Sequence, residues 1–162
     1  MDQLTLWLER YFSADFAVLI ASALPVLELR GAIPLGISLG LAPWYAFFLS
    51  MVGSMIPVPF LYFGIRPVFR LLMKKDFFEK HLGRLMEKTT QKSDKIVKYG
   101  FWGLLIFVAI PLPGTGVWTG TLAAVLLDMR FKIAFPSLFL GDLGAGIIVT
   151  MLSIGALKAF GF

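Results

Sequence analysis

The sequence predicts an all-α integral membrane protein with two re-entrant helical hairpins and two long transmembrane helices in an inverted repeat, flanked by amphipathic helices. Three observations support this fold class. The 162 residues are 58% hydrophobic with a mean hydropathy of +0.83, whereas soluble domains are roughly 45–50% apolar. Two long apolar runs alternate with two apolar segments that proline and glycine interrupt. Positive charge is concentrated in one segment between them.

The first two predicted elements are not regular transmembrane helices, because one is short and the other is interrupted by proline, glycine and charged residues. Residues 1–15 predict an N-terminal interfacial helix, and residues 16–41 predict the first re-entrant hairpin. The stretch "ALPVLELRGAIPLG" within this hairpin places Glu28 and Arg30 between two prolines in apolar surroundings. Each half of the segment is about ten residues long, so it reaches about half of a ~30 Å hydrocarbon core.

The two long runs each predict a transmembrane helix. Residues 43–65 carry no charge, and residues 133–157 carry one, Asp142. A span requires about 20 apolar residues, so both runs are long enough. Pro57 and Pro59 are expected to kink the first span, because proline lacks the N–H of a regular helix.

A second broken segment, residues 101–127, predicts the second re-entrant hairpin, with the tip "PLPGTGVWTG". The order of broken segment, short polar turn and long span therefore occurs twice. Pro25 precedes Gly53 by 28 residues, and Pro111 precedes Gly141 by 30. Few residues are identical between the halves, so the repeat rests on this pattern.

The charges predict the orientation of the chain. Residues 66–98 hold ten Lys/Arg and four acids, and short basic loops stay in the cytoplasm. This segment is predicted to be a cytoplasmic amphipathic helix at the lipid headgroups. If both broken segments crossed fully, Arg130 and Lys132 would lie outside. If both are re-entrant, these two residues are cytoplasmic, which obeys the positive-inside bias better and makes the halves an inverted repeat.

The candidate substrate- or ion-binding residues are polar or glycine-rich positions expected at membrane depth. They are Glu28, Arg30, Gly31, Pro111, Pro113, Gly114, Thr115, Gly116, Trp118, Arg130 and Asp142. A charge at that depth costs about 2.5–3.5 kcal/mol, so it requires a partner or a cavity.

Each candidate has two interpretations. Glu28 is either a proton- or cation-coupling carboxylate beside an anion-binding Arg30, whose planar fork suits phosphate, or the two form an ion pair that closes the hairpin tip. Asp142 is either a proton relay or a partner for Arg30 or a backbone amide. The tip "PLPGTGVWTG" either binds an anion with its amides or is a self-satisfied turn.

Several functions are disfavoured by composition. The chain has no cysteine, one histidine and ten acids, so we expect no metal site and no cofactor. Because no Ser–His–Asp or metal constellation is visible, we do not expect an enzyme. A nucleic-acid partner is not expected either, because the basic segment lies between membrane elements.

The motifs "LELRGAIPLG" and "KYGFWGLLIFVAIPLPGTGVWTG" resemble the small multi-drug export protein family of prokaryotes, a distant branch of the DedA/VTT superfamily. The resemblance extends from Phe16 to Leu157. It implies two facing re-entrant hairpins in the prokaryotic inner (cell) membrane and, in some superfamily members, movement of phospholipids or polyprenyl phosphates. The second tip lacks the arginine that DedA proteins usually carry there, and Arg30 and Arg130 are the nearest substitutes.

Three functions follow from these observations. The first is a transporter or translocase of a small amphiphile with an anionic head, a polyprenyl phosphate or phospholipid, coupled to H⁺ or Na⁺. The second is an exporter of small cationic drugs that uses Glu28 or Asp142 as the cation-binding acid. The third is a membrane assembly factor without transport. Two complete spans are too few to seal a polar pathway, so a homodimer surrounded by membrane lipids is expected.

Overall fold

The computed structural model of the protein describes residues 13–73, 93–112 and 114–159. The predicted N-terminal interfacial helix and most of the basic amphipathic segment therefore lie outside the described residues. The described residues form helices joined by short turns: α1 (Ala14–Ala23), α2 (Glu28–Ser38), α3 (Pro43–Met55), α4 (Pro57–Met73), α5 (Ser93–Ala109), α6 (Val117–Leu126) and α7 (Phe131–Ala159).

Within the described part of the chain, two helical units are long and apolar enough to cross a membrane. Helices α3 and α4 meet at Ile56, whose backbone is itself helical with φ −56° and ψ −48°, and together they form an apolar helix over Pro43–Val68. The interruption falls where Pro57 lacks an N–H. The second long helix is α7, which has 29 residues. For the described residues, the prediction of an all-helical fold with two long apolar helices is confirmed.

The first broken segment folds back on itself. A Cβ added at Gly36 in α2 would lie 2.9 Å from Val18 Cγ2 in α1. Eighteen residues of continuous helix would separate these positions by about 27 Å. Helices α1 and α2 are therefore antiparallel neighbours joined by the turn at residues 24–27.

The second broken segment has the same geometry. A Cβ added at Gly100 would lie 3.6 Å from Met129 Cε, although 29 residues separate them along the chain. Near the turn, Gly120 of α6 packs against Val108 of α5, with 2.7 Å from its added Cβ to Val108 Cγ2. Helices α5 and α6 are thus also antiparallel.

The two long helices run in opposite directions. At one end of their contact, Gly146 of α7 lies against Phe47 of α3, with 2.5 Å from an added Cβ to Phe47 Cε2. At the other end, the rings of Tyr62 in α4 and Phe131 in α7 have centroids 5.1 Å apart. Because residue numbers rise along one helix as they fall along the other, the helices cross antiparallel.

The turn that ends α2 recurs 88 residues later at the end of α6. Matching backbone N–H···O bonds join Leu41 to Gly36, Gly40 to Ile37, Met129 to Ala124 and Asp128 to Val125, at 2.9–3.1 Å. Each of these two turns has one residue in the left-handed region, and the two correspond: Gly40 (φ +89°) and Asp128 (φ +48°). The backbone thus repeats where the side chains do not.

Each long helix packs on the first helix of the hairpin before it, and a glycine permits the close approach. A Cβ on Gly53 would lie 2.6 Å from Leu19 O, and one on Gly141 would lie 2.8 Å from Leu105 O. Real Cβ atoms do not approach a carbonyl so closely. The glycines that mark the sequence repeat are therefore equivalent in their packing.

Candidate functional site

Glu28 begins α2 and points its carboxylate at the other hairpin. Its Oε1 accepts a hydrogen bond from Trp118 N at 3.1 Å, in the first turn of α6. A Cβ added at Gly116 would lie 1.4 Å from Glu28 Oε2, so only glycine leaves room for the carboxylate. The first N–H groups of a helix lack internal acceptors, and negative charge there is favourable. Glu28 therefore caps α6.

The backbone of Glu28 is held in an uncommon conformation. Its φ is +48°, in the left-handed region that a side chain disfavours. Such strain costs of order 1–3 kcal/mol and persists only where surrounding contacts fix it. The contacts of its carboxylate with the second hairpin are of that kind.

Arg30 caps the other helix end at the turn of the second hairpin, the C-terminus of α5. Its Nη2 donates to Val108 O at 3.0 Å, to Ile110 O at 3.3 Å and to Thr115 O at 3.0 Å. The last carbonyls of α5 have no helical donor, and a cation is favourable at a helix C-terminus. Nη1 of Arg30 donates to Glu28 Oε2 at 3.0 Å, which completes the ion pair.

One interpretation of the sequence has the Glu28–Arg30 pair closing the tip of its own hairpin. In the structure, the pair instead caps the two helix ends at the turn of the second hairpin. The second hairpin also contacts the first, because Trp118 Nε1 donates to Ala23 O at 3.2 Å at the end of α1. The Arg30 and Glu28 side chains are only 15% and 8% exposed. The two tips are thus joined by charge-assisted hydrogen bonds across a largely buried contact.

The turn of the second hairpin satisfies many of its own polar groups. Thr115 Oγ1 lies 2.9 Å from Leu112 O as a donor and 3.3 Å from Leu112 N as an acceptor. Gly114 adopts φ +83°, which favours glycine. Pro111 is half-buried in this turn, and Pro113 lies outside the described residues.

A second polar group lies where the long helices cross. Asp142 of α7 is 0% exposed, and its Oδ2 accepts a hydrogen bond from Ser54 Oγ. Ser50 lies one turn before Ser54 in α3 and is also fully buried. Among the described residues, Asp142 Oδ1 and Ser50 Oγ have no hydrogen-bond partner.

Sequence reasoning identified Asp142 but missed both serines. Serine in an apolar helix is common and attracts no attention. The repeat offered the signal for Ser54, because it stands 88 residues before Asp142, directly after the glycine equivalent to Gly141.

The structure brings most of the predicted site together. Asp142 lies close enough to Glu28 and Arg30 to interact electrostatically with both. Gly31 packs against Leu27, with 3.0 Å from its added Cβ to Leu27 Cδ2. Arg130 does not join the site: it is exposed before α7, and twelve residues, about 18 Å of helix, separate it from Asp142.

The fold and this site define a helical protein with two candidate membrane spans and charged groups buried between them. Residues 28–148 match the family described as "Putative small multi-drug export protein", and the chain belongs to that family. The matched residues include Glu28, Arg30, the turn of the second hairpin and Asp142. The family resemblance of the sequence motifs is therefore confirmed. No curated protein and no solved structure is significantly similar to this chain.

Proposed function

We propose that this protein is a membrane exporter in which Asp142 is the acid that binds a transported or coupling cation. Membership of a small multi-drug export family supports membrane export. The observation that carries the choice of residue is the Asp142 carboxylate, which is 0% exposed and keeps one oxygen without a partner in the described part of the chain. An ionisable residue at membrane depth is by default a hypothesis for a functional site.

Glu28 suits this role less well. An acid that binds and releases a cation must be able to exchange its partner. The Glu28 carboxylate is bonded to Arg30 at 3.0 Å and to Trp118 N at 3.1 Å. Removing either contact exposes an uncompensated charge or helix end. We therefore assign Glu28 and Arg30 to holding the hairpin tips together.

We further infer that the halves form an inverted repeat of re-entrant hairpins. Arg66 Nη2 lies 2.7 Å from Asp128 Oδ1. Arg66 begins the basic segment, and Asp128 lies two residues before Arg130. A bilayer core of ~30 Å cannot separate residues in contact. The contact supports a common, cytoplasmic face for residues 66–98 and 128–132, whereas four full spans would divide them.

The antiparallel hairpins and long helices fit the same inference. Facing re-entrant hairpins are the arrangement that the resemblance to the DedA/VTT superfamily implies, and we propose that the family is a distant branch of it. We also propose localisation in the prokaryotic cell membrane and a homodimer, because two complete spans do not seal a polar pathway. Cross-linking in native membranes tests the dimer.

Drug resistance in cells tests the proposed acid. A strain expressing the Asp142→Asn protein should lose the resistance to cationic dyes that wild type confers, because the amide carries no negative charge. The matched control is Asp15→Asn in the first turn of α1, which should retain resistance at equal membrane abundance. Full resistance in the Asp142→Asn strain would refute the role of Asp142.

A second candidate is translocation of an amphiphile with an anionic head, such as a phospholipid or polyprenyl phosphate. It is favoured by Arg30 Nε, a buried donor without a partner among the described residues. The test is translocation of labelled phospholipid in reconstituted vesicles. Arg30→Lys keeps the charge and loses the planar fork, so it should slow translocation. Equal rates for a folded Arg30→Lys protein would exclude this role.

The remaining alternative is an assembly factor without transport. It predicts stable protein partners that co-purify from membranes and no flux in either assay. We propose no enzymatic reaction for the chain.

A further inference from the structure

The crossing of the long helices holds an incompletely bonded group of oxygen atoms, the crossing cluster of Ser50, Ser54 and Asp142. All three side chains are buried, with exposures of 0–1%. Ser54 Oγ lies within hydrogen-bond distance of two acceptors, Asp142 Oδ2 and Met51 O, yet a hydroxyl carries one hydrogen. Together with the unpartnered Asp142 Oδ1 and Ser50 Oγ, the cluster has more acceptors than donors.

Two prolines free backbone carbonyl oxygens in the residues next to Ser54 in the sequence. Pro57 and Pro59 have no N–H, so the carbonyls of Gly53 and Met55 lose their helical donors four residues on. These are the two residues that flank Ser54, at the interruption between α3 and α4. At membrane depth, freed carbonyls are tolerated only where protein, water or an ion satisfies them.

The net charge of the crossing cluster indicates what kind of cation it can bind. Glu28 and Arg30 interact electrostatically with Asp142, but they form an ion pair and their charges cancel. One negative charge remains, surrounded by neutral oxygen atoms. A monovalent cation neutralises it, whereas a divalent cation would leave a net positive charge inside the membrane. Oxygen ligands bind hard cations, and broken helices with free carbonyls bind Na⁺ in transporters.

We propose that the crossing cluster and the carbonyl oxygens freed by Pro57 and Pro59 form a Na⁺ site. A proton on Asp142 would supply one donor and leave the other oxygen atoms unsatisfied, whereas Na⁺ contacts several at once. The role of this Na⁺ as the coupling ion rests on the proposed export function. The binding itself does not, so the two are tested separately.

The binding test is thermal unfolding of the purified full chain in detergent at pH 8. NaCl is titrated against choline chloride at constant ionic strength. The unfolding midpoint of the wild-type protein should rise with Na⁺ and saturate, because a ligand that binds the folded state stabilises it. Asp142→Asn should abolish the response, and Ser50→Ala should raise the half-saturating Na⁺ concentration by about tenfold, equivalent to about 1.4 kcal/mol.

Ser153→Ala is the matched control. Its hydroxyl donates to Val149 O at 2.8 Å within α7, away from the crossing cluster, so its Na⁺ response should equal that of the wild type. The proposal is overturned if wild-type stability is the same in Na⁺ and choline, or if folded Asp142→Asn and Ser50→Ala proteins respond to Na⁺ as wild type does. Stability that follows pH and ignores Na⁺ would also overturn it, in favour of a proton.

The Na⁺ response in thermal unfolding and the drug resistance in cells can succeed or fail independently. A Na⁺ response in a protein that confers no resistance would retain the site and refute the exporter. Resistance that depends on Asp142 in a protein without a Na⁺ response would retain the exporter and refute the site.

Discussion

The two halves of the chain, residues 14–68 and 93–159, share a backbone arrangement and differ in the polar side chains placed on it. At the crossing of the long helices, Ser54 in the first half corresponds to Asp142 in the second. At the hairpin tips, Glu28 corresponds to Gly116. In both pairs the equivalent residues contact each other. The repeated backbone therefore holds the helices in place, and the positions where the two halves differ hold the charged and polar groups of the candidate site.

The asymmetry of the tips has a steric reason. The equivalent positions 28 and 116 face each other where the two halves of the chain are in contact. Large side chains at both positions would therefore occupy the same space. The second half has glycine there, and Glu28 fills the space with its carboxylate. One half thus provides the charged groups, and the other provides the helix ends that they cap.

The two ends of the contact between the long helices also differ in their polar side chains. Near the start of α7, Tyr62 O–H donates to Met129 O, and Arg66 pairs with Asp128. At the opposite end, Thr150 corresponds to Tyr62, but its hydroxyl donates to Gly146 O within its own helix at 2.7 Å. We expect the end that holds Tyr62 to open less readily.

Breaking the tip contact should have the largest effect. Arg30→Ala removes the ion-pair partner of Glu28 and the side-chain donor to Val108 O and Thr115 O, and removing one partner of a buried pair costs about 3–5 kcal/mol. The free energy of unfolding in detergent should fall by that amount. Arg130→Ala, at an exposed position, is the control and should change little.

A double variant sharpens this prediction. Adding Glu28→Gln to Arg30→Ala removes the uncompensated charge, so part of the lost stability should return. A double variant less stable than Arg30→Ala alone would contradict the assignment of the cost to the unpaired carboxylate.

Filling the space at the tip should rank second. Gly116→Ala places a methyl group where the Glu28 carboxylate lies, and overpacking of this kind costs about 3 kcal/mol at its upper range. The midpoint of thermal unfolding reports the loss. Gly103→Ala is the matched control, because no atom lies within 4 Å of its added Cβ. Equal midpoints for the two variants would mean that the tips can separate without cost.

Removing the buried tyrosine hydroxyl should have a smaller effect. Tyr62→Phe loses the bond to Met129 O, and such a hydrogen bond contributes about 1 kcal/mol. Tyr99→Phe, at an exposed ring, should leave stability unchanged. If both variants unfold at the wild-type midpoint, the hydroxyl does not hold this end closed.

The surface ion pair should contribute least. Arg66 and Asp128 are 31% and 63% exposed, and exposed pairs contribute about 0–1 kcal/mol. Asp128→Asn retains a residue that tolerates positive φ, so the change should stay under about 0.5 kcal/mol. It should vanish in 1 M salt, because screening weakens exposed pairs. A loss that persists in high salt would show that the pair is not merely electrostatic.

Local signals in the sequence specify the helical elements of this protein. The length of the apolar runs required two long helices, and proline and glycine interrupted the two shorter segments. These signals are local, because hydropathy and backbone preference act over a few residues. The same signals showed Glu28, Arg30 and Asp142 as charges in apolar surroundings and indicated the repeat through Gly53 and Gly141.

The contacts that those charges make depend on how the helices pack together. Arg30 donates hydrogen bonds to carbonyl oxygens about 80 residues away in the sequence. Ser54 of α3 donates a hydrogen bond to Asp142 of α7. Neither contact leaves a periodic trace in the sequence, because each depends on how separately formed helices dock. Arg130 stays outside the site, since it directly precedes α7 and twelve residues, about 18 Å of helix, separate it from Asp142.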